Sequence, residues 1–113
     1  MTQITTEEKN QFHFIMISGE IDAGSSILLD NAFKEAVEKG KKRIAVNLSE
    51  LSYISSAGLG VFISHLDEFE AEKIKLVLFG ANESVREVFS ILGLEKLLVM
   101  VGSEEEASNY LDE

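Results

Sequence analysis

Apolar residues are distributed along the chain in two alternating patterns, one typical of buried strands and the other of amphipathic helices. Four short runs are almost wholly apolar, as expected for strands of a sheet that is covered on both faces. These runs comprise residues 12–18, 43–48, 74–79 and 97–101. Residues 3–8 are predicted to add a short antiparallel strand at the edge of the sheet.

Between these runs, apolar residues recur at intervals of three or four, which places them on one face of a helix. Serine and asparagine cap helix N-termini and glycine ends helices, and such residues bound three of the predicted helices. The bounding residues are Ser25 or Ser26 with Gly40, Asn82 with Gly93, and Ser103 with Glu106, the last pair forming a capping box. A further helix, whose apolar face includes Leu59 and Phe62, is predicted to end near Ala71.

Strand and helix alternate from residue 12 to the end of the chain. This order predicts an α/β fold with a mostly parallel sheet and right-handed crossovers. We expect four to five strands, about four helices and one short antiparallel edge strand at the N-terminus. The 113 residues contain no repeat or linker and are predicted to form a single domain over residues 1–113.

The composition excludes several classes of function. Twenty acidic against ten basic residues give a net charge of -10, which would repel the phosphates of nucleic acids and anionic membranes. The absence of cysteine excludes disulfides, thiol catalysis and zinc-thiolate sites, and two histidines are too few for a histidine-rich metal site. We therefore expect no metal and no cofactor. The polar N-terminus lacks the features of a secretory signal and no apolar run could span a bilayer, so a cytoplasmic location is predicted.

The segment before the second predicted helix contains the best candidate for chemistry. Ser55 and Ser56 stand directly before the helix, and Gly58 and Gly60 fall in its first turn. Glycine costs a helix about 1 kcal/mol relative to alanine, so its presence indicates that a neighbouring strand or a partner approaches the backbone closely. A serine at this position is most often an N-cap, and a capping serine can also accept a phosphate.

Two segments carry a resemblance to a known family. Residues 18–22, SGEID, and residues 47–61, NLSELSYISSAGLGV, are similar to the two signatures of bacterial STAS domains. The chain resembles in particular the single-domain anti-sigma-factor antagonists, and the resemblance covers essentially the whole chain. It implies the STAS fold and a protein that is regulated by phosphorylation rather than an enzyme.

The resemblance also implies partners. In this family an ATP-dependent anti-sigma-factor serine/threonine kinase phosphorylates a serine at the start of the second helix, and a metal-dependent serine/threonine phosphatase removes the phosphate. Only the unphosphorylated form binds the anti-sigma factor and releases the sigma factor. Aligned on the glycines Gly58 and Gly60, the family motif Asp-Ser-Ser/Thr-Gly-Leu-Gly places the phosphoacceptor at Ser56. Here Ser55 replaces the aspartate, which makes Ser55 an alternative acceptor, and Ala57 follows the phosphoacceptor.

The same resemblance implies a partner-binding surface around Ser56. Asp22 matches the acidic residue of the first signature, and its alternative role is that of an ordinary loop or helix-start acid. Ile21, Leu59 and Val61 are candidate apolar contacts, with a core position as the alternative that we favour for Leu59. The predicted partner-binding residues are Asp22, Ile21, Ser55, Ser56, Gly58 and Leu59.

Four other functions are alternatives to this interpretation. A serine hydrolase requires Gly-x-Ser-x-Gly, but Ile54 stands in place of the first glycine and His65 lies too far along the helix to act as base. A receiver domain requires clustered aspartates, whereas the second apolar run ends in Asn47 and Ser49. A nucleotide-binding domain requires a phosphate-binding glycine motif, and none is present. A STAS module that switches partners or acts as a scaffold with an output other than a sigma factor remains open.

Overall fold

The computed structural model describes all residues from Met1 to Glu113. The strands are β1 (Gln3–Lys9), β2 (Phe12–Ile21), β3 (Arg43–Ile54), β4 (Lys75–Phe79) and β5 (Val99–Val101). The helices are α1 (Ser26–Glu38), α2 (Ser56–Ala71), α3 (Glu83–Ile91) and α4 (Glu104–Asp112), with a single 3-10 turn at Leu94–Lys96 before β5. None of these helices has the length and apolar character needed to cross a membrane.

The five strands lie side by side in the order β1-β2-β3-β4-β5. β1 pairs antiparallel with β2, and every other pair is parallel. The mixed sheet and the N-terminal edge strand predicted from the sequence are therefore confirmed. Because each right-handed crossover moves one strand further in the same direction, α1, α2 and α3 all cover one face of the sheet.

The core is divided by the sheet into two unequal parts. The larger part contains 21 buried residues, and one phenylalanine from each of the first three helices lies at its centre. The rings of Phe33 and Phe62 are 5.5 Å apart, and those of Phe62 and Phe89 are 5.8 Å apart, in edge-to-face arrangements. On the opposite face, Ala107 and Leu111 of α4 belong to a smaller cluster of seven buried residues. The strands are covered on both faces, as their apolar runs predicted.

Two strands are longer than the sequence predicted. The apolar runs predict strands that end at residues 18 and 48, but β2 continues to Ile21 and β3 continues to Ile54. The pairing of β2 with β3 shifts twice, and at each shift β3 contains one extra residue. These bulges place the buried side chains three residues apart, at Leu48, Leu51 and Ile54. The period of two that identifies a strand is lost there, which explains why the pattern failed to predict it.

Caps mark most of the predicted helix ends. The Ser103 hydroxyl accepts from the Glu106 N–H at 3.2 Å, and the Asn82 side chain accepts from the Val85 N–H at 2.8 Å. Gly40 and Gly93 follow the ends of α1 and α3 with positive φ values of 73° and 72°. These caps and glycines confirm the predicted end of α1, both predicted ends of α3 and the predicted start of α4.

Candidate functional site

The site lies at the carboxyl ends of β2 and β3, the edge where open α/β sheets commonly bind their ligands. Ile21 and Ile54 are the last paired residues of the two strands. Beyond this pair, the Ser55 N–H donates to the Ile21 carbonyl at 2.8 Å. The segment that begins at Asp22 and the start of α2 therefore leave the sheet side by side, although they are far apart in the sequence.

Ser55 is the N-cap of α2. Its backbone is extended, with φ -86° and ψ 171°, and its hydroxyl accepts from the Gly58 N–H at 3.3 Å. The side chain is half-buried. This hydroxyl therefore satisfies one of the free N–H groups at the start of the helix, a role that contributes about 1 kcal/mol to stability.

Ser56 differs from Ser55 in its exposure and in its hydrogen bonding. It is the first residue of α2, it is exposed, and its hydroxyl makes no hydrogen bond within the protein. The hydroxyl lies at the positive end of the helix dipole, where an added negative charge is favoured. Of the two adjacent serines, Ser56 is the one whose hydroxyl is free to react.

Gly58 and Gly60 have different structural roles. A Cβ atom on Gly58 would lie 2.6 Å from Cγ2 of Ile21 and 2.8 Å from Cγ1 of Ile54. The first turn of α2 can therefore rest on the ends of β2 and β3 only because Gly58 has no side chain. A Cβ atom on Gly60 would meet nothing within 4 Å, and this residue is exposed.

Three of the predicted partner contacts are instead buried. Ile21 is fully buried, and Gly58 and Leu59 are buried as well, so none of them offers a surface to a partner. The alternative role in the core is correct for Ile21 and Leu59. The reason is geometric, because the first turn of α2 packs at Gly58 directly on Ile21 and Ile54 at the ends of β2 and β3, and Leu59 of the same turn faces the core.

The exposed apolar side chains near this end of the sheet are different residues, which the sequence analysis did not identify. Ile27 lies in the first turn of α1, Tyr53 lies at the end of β3, and Ile63 lies two turns after Ser56 on the same side of α2. Tyr53 directly follows Ser52, the extra residue of the second bulge of β3, and its side chain is exposed. Only a prediction of that bulge could have shown that Tyr53 points outward.

Asp22 organises the turn that leads into α1. Its carboxylate accepts from both the N–H and the hydroxyl of Ser25 at 2.8 Å, and its own N–H donates to the Ser25 hydroxyl at 2.9 Å. These bonds, the one from the backbone N–H first, hold the pKa of the Asp22 carboxyl below its ordinary value. Ser25 occupies the predicted cap position, but its hydroxyl makes no capping bond to the helix. Asp22 therefore presents a negative charge beside the end of β3.

Both histidines are occupied elsewhere in the fold. His65 of α2 is 2.7 Å from Asp30 of α1 and packs against Phe33 and Phe69. His13 is buried and pairs with Glu8 of β1. Both side chains therefore make contacts within the fold, away from Ser56. No group of three or more histidine or acidic side chains is arranged to hold a metal ion.

Comparisons with known proteins agree with this geometry. The sequence model of the STAS domain family matches residues 3–107. An anti-sigma-B factor antagonist of Staphylococcus aureus is 30% identical over 104 residues, which cover 91% of this chain and 96% of the relative. A crystal structure of an anti-sigma factor antagonist from Mycobacterium paratuberculosis matches with a TM-score of 0.91 at 18% identity. The match covers 100% of this chain and 96% of the chain in that structure. The Bacillus cell fate determinant SpoIIAA in its phosphorylated form has a TM-score of 0.72 at 25% identity, over 98% and 99% of the two chains.

Proposed function

The chain belongs to the STAS domain family, and on this premise we propose that it is an anti-sigma factor antagonist that is switched by phosphorylation of Ser56. The observation that carries the proposal is the exposed, unbonded hydroxyl of Ser56 at the start of α2. The relative that is 30% identical over most of the chain is an anti-sigma-B factor antagonist, which supports the choice of partner.

The contacts of the two serines favour Ser56 over Ser55 as the phosphoacceptor. A kinase must reach the hydroxyl, and the Ser55 hydroxyl is half-buried and bonded to the Gly58 N–H. Phosphate on Ser55 would have to replace that bond, whereas phosphate on Ser56 displaces no contact. The phosphorylated state of SpoIIAA, a protein of the same fold, is consistent with a modifiable residue in this family.

In this function the chain is a substrate and a binding partner rather than a catalyst. The anti-sigma factor is itself the serine/threonine kinase, and it transfers the γ-phosphoryl group of ATP to the Ser56 oxygen, which loses its proton. A metal-dependent serine/threonine phosphatase hydrolyses the phosphoester and restores the hydroxyl. The unphosphorylated protein binds the anti-sigma factor and thereby releases the sigma factor.

The charge of the phosphate acts on the interface rather than on the fold. A phosphoserine carries about -1.5 to -2 charges, and at a helix N-terminus it stabilises the helix by only about 0.3–1 kcal/mol. A single like-charge pair brought to about 4 Å in an interface costs about 4 kcal/mol at an effective dielectric near 20. That cost corresponds to a loss of affinity of about a thousandfold. Docking is therefore blocked by repulsion and bulk while the fold stays intact.

The surface around Ser56 suits a reversible protein interface. Asp22 contributes a carboxylate that hydrogen bonds keep ionised, while Ile27, Tyr53 and Ile63 expose apolar surface. Gly60 leaves open space one turn after Ser56, so a partner backbone can approach the helix there. An apolar centre with a charged rim is the usual composition of such interfaces.

The test compares matched serine variants for binding to an anti-sigma factor kinase. Ser56→Asp should bind about a thousandfold more weakly than the unaltered protein, and Ser56→Ala should bind like it. Isothermal titration calorimetry measures both. After incubation with kinase and ATP, mass spectrometry should find phosphate on Ser56 in the unaltered protein and in Ser55→Ala, and none in Ser56→Ala.

Two results would contradict the proposal. Equal affinity of Ser56→Asp and unaltered protein would remove the electrostatic switch, and phosphate on Ser55 would remove the assignment of the acceptor. A Ser56-dependent partner other than an anti-sigma factor would keep the switch but assign it to another output.

A further inference from the structure

We propose that a groove at the amino ends of β4 and β5 docks a cationic amphipathic segment of a partner protein. The groove has a volume of about 430 Å³, and eight of its ten lining residues are hydrophobic. It lies between the C-terminal half of α2 and the chain segment before β5. Its apolar lining includes Phe69, Ile74, Leu76, Leu97, Leu98 and Tyr110.

This groove is separate from the surface around Ser56. Ser56 follows the carboxyl end of β3, whereas Ile74 precedes β4 and Leu97 precedes β5, at the opposite ends of the strands. None of the groove residues belongs to the phosphorylation site described above. The proposal therefore goes beyond the proposed function, and either one can fail without the other.

The groove coincides with an unusual exposure of apolar side chains. After Met1, three of the four most exposed large apolar residues are Ile91 at the end of α3 and Leu92 and Leu97 in the segment that follows it, and Leu97 lines the groove. Ile74 and Leu76 line the groove with 9% of their surface exposed, so they form its buried apolar floor, and Leu97 is its exposed apolar side chain. A concentration of exposed apolar surface of this kind is typical of a docking site.

The charge of the groove is negative. The charged residues that line it are Asp67 and Glu70, both exposed on α2. Lys75 lies nearby, but its ammonium donates to the carbonyls of Tyr110 and Glu113 at 3.2 and 2.6 Å and lies 5.2 Å from the centre of the Tyr110 ring. Lys75 therefore links β4 to α4, and the groove lining contains no lysine or arginine that could pair with Asp67 and Glu70.

This combination selects among the possible occupants. A second copy of the chain would bring another ten negative charges to the interface, and anionic lipids or nucleic acid would be repelled for the same reason. A helix with leucine-type side chains on one face and lysine or arginine on its flanks matches both the apolar walls and the carboxylates. Such a segment would dock as an amphipathic helix in a groove.

The experiment uses the complete chain and a fluorescent peptide of roughly 18 residues, long enough to fold as a helix on docking. The peptide has leucine at positions i, i+3, i+4 and i+7 and lysine elsewhere. A control peptide has the same composition in an order that distributes the leucines around the helix. Fluorescence anisotropy measures affinity, and amide chemical shifts in NMR spectra locate the contact.

Two matched variants separate docking in the groove from general attraction to an acidic protein. Leu97→Glu alters the groove and Leu28→Glu alters α1, and the replaced leucine side chains are 60% and 44% exposed. Both variants gain the same charge and lose the same exposed apolar group. We expect Leu97→Glu to bind the amphipathic peptide about tenfold more weakly or worse, and Leu28→Glu to bind it like the unaltered protein.

On addition of the amphipathic peptide, we expect the amide chemical shifts of Phe69, Ile74 and Leu98 to change. The control peptide should bind only weakly. Equal weakening by both variants, or equal binding of both peptides, would overturn the proposal because the attraction would then be non-specific. A dimer of the unaltered protein that Leu97→Glu converts to a monomer in light scattering would also overturn it, in favour of a second copy as occupant.

Discussion

At the level of single residues, the glycines in the first turn of α2 show how local position decides the meaning of a residue type. Both glycines cost the helix conformational entropy, and the sequence pattern does not distinguish their roles. The structure separates them, because Gly58 faces the ends of β2 and β3 and Gly60 faces solvent. The same holds for the two serines before them, of which one caps the helix and the other is free.

Replacement of each glycine by alanine should have opposite effects on stability. Gly58→Ala forces a methyl group against Ile21 and Ile54, which are buried and have no room to move, and should lower the free energy of unfolding by about 1–3 kcal/mol. Gly60→Ala meets open space and should raise it by about 0.5–1 kcal/mol. Urea unfolding followed by circular dichroism measures both. Destabilisation by Gly60→Ala, or none by Gly58→Ala, would contradict this account of the first turn.

At the level of secondary structure elements, the packing of α1 against α2 depends on a polar contact within an apolar junction. Asp30 of α1 accepts from His65 of α2 and pairs with Lys34 at 3.0 Å. The hydrogen bond from Lys34, followed by that from His65, holds the pKa of the Asp30 carboxyl below its ordinary value of 3.8. A carboxyl with a lowered pKa in the folded state stabilises the protein above its ordinary pKa, and this contribution is lost as the pH falls through the folded value.

Asp30→Asn should therefore weaken the fold near neutral pH and reduce its sensitivity to acid. As the pH falls from about 4 to about 3, from the ordinary value of 3.8 towards the lowered folded value, the free energy of unfolding of the variant should fall less steeply than that of the unaltered protein. Urea titrations at a series of pH values provide the measurement. Glu38→Gln, at an exposed acid of the same helix that makes no ion pair, is the control and should leave the slope unchanged. Identical slopes for all three proteins would remove Asp30 from this role.

For the molecule as a whole, the excess of acidic residues is the dominant electrostatic property. The principal extents are 29, 26 and 24 Å. The Debye length is about 30 Å at 0.01 M salt and about 10 Å at 0.1 M, so only at low salt does each charge act across the entire molecule. Self-repulsion of a net charge of -10 opposes the compact state under those conditions.

Stability should therefore increase with ionic strength. We expect the melting temperature to rise between about 10 and 150 mM sodium chloride, because added salt screens the net repulsion more than it weakens the few exposed ion pairs. Differential scanning calorimetry provides the measurement, with sodium sulfate avoided because it also strengthens the burial of apolar groups. A melting temperature that falls over this range would show that the ion pairs outweigh the repulsion.

The sequence by itself determined the order of the elements, the mixed sheet and most helix limits, because these follow from local periodicity and from caps within a few residues. It also identified residues 47–61 as the segment of interest and placed two serines at the start of a helix. Only the tertiary structure decided which hydroxyl is free, which glycine is needed for close packing and which apolar side chains face outward. Those properties depend on how β3 pairs with β2 and on the two bulges in that pairing, and a contact between residues more than thirty positions apart leaves no periodic trace in either segment.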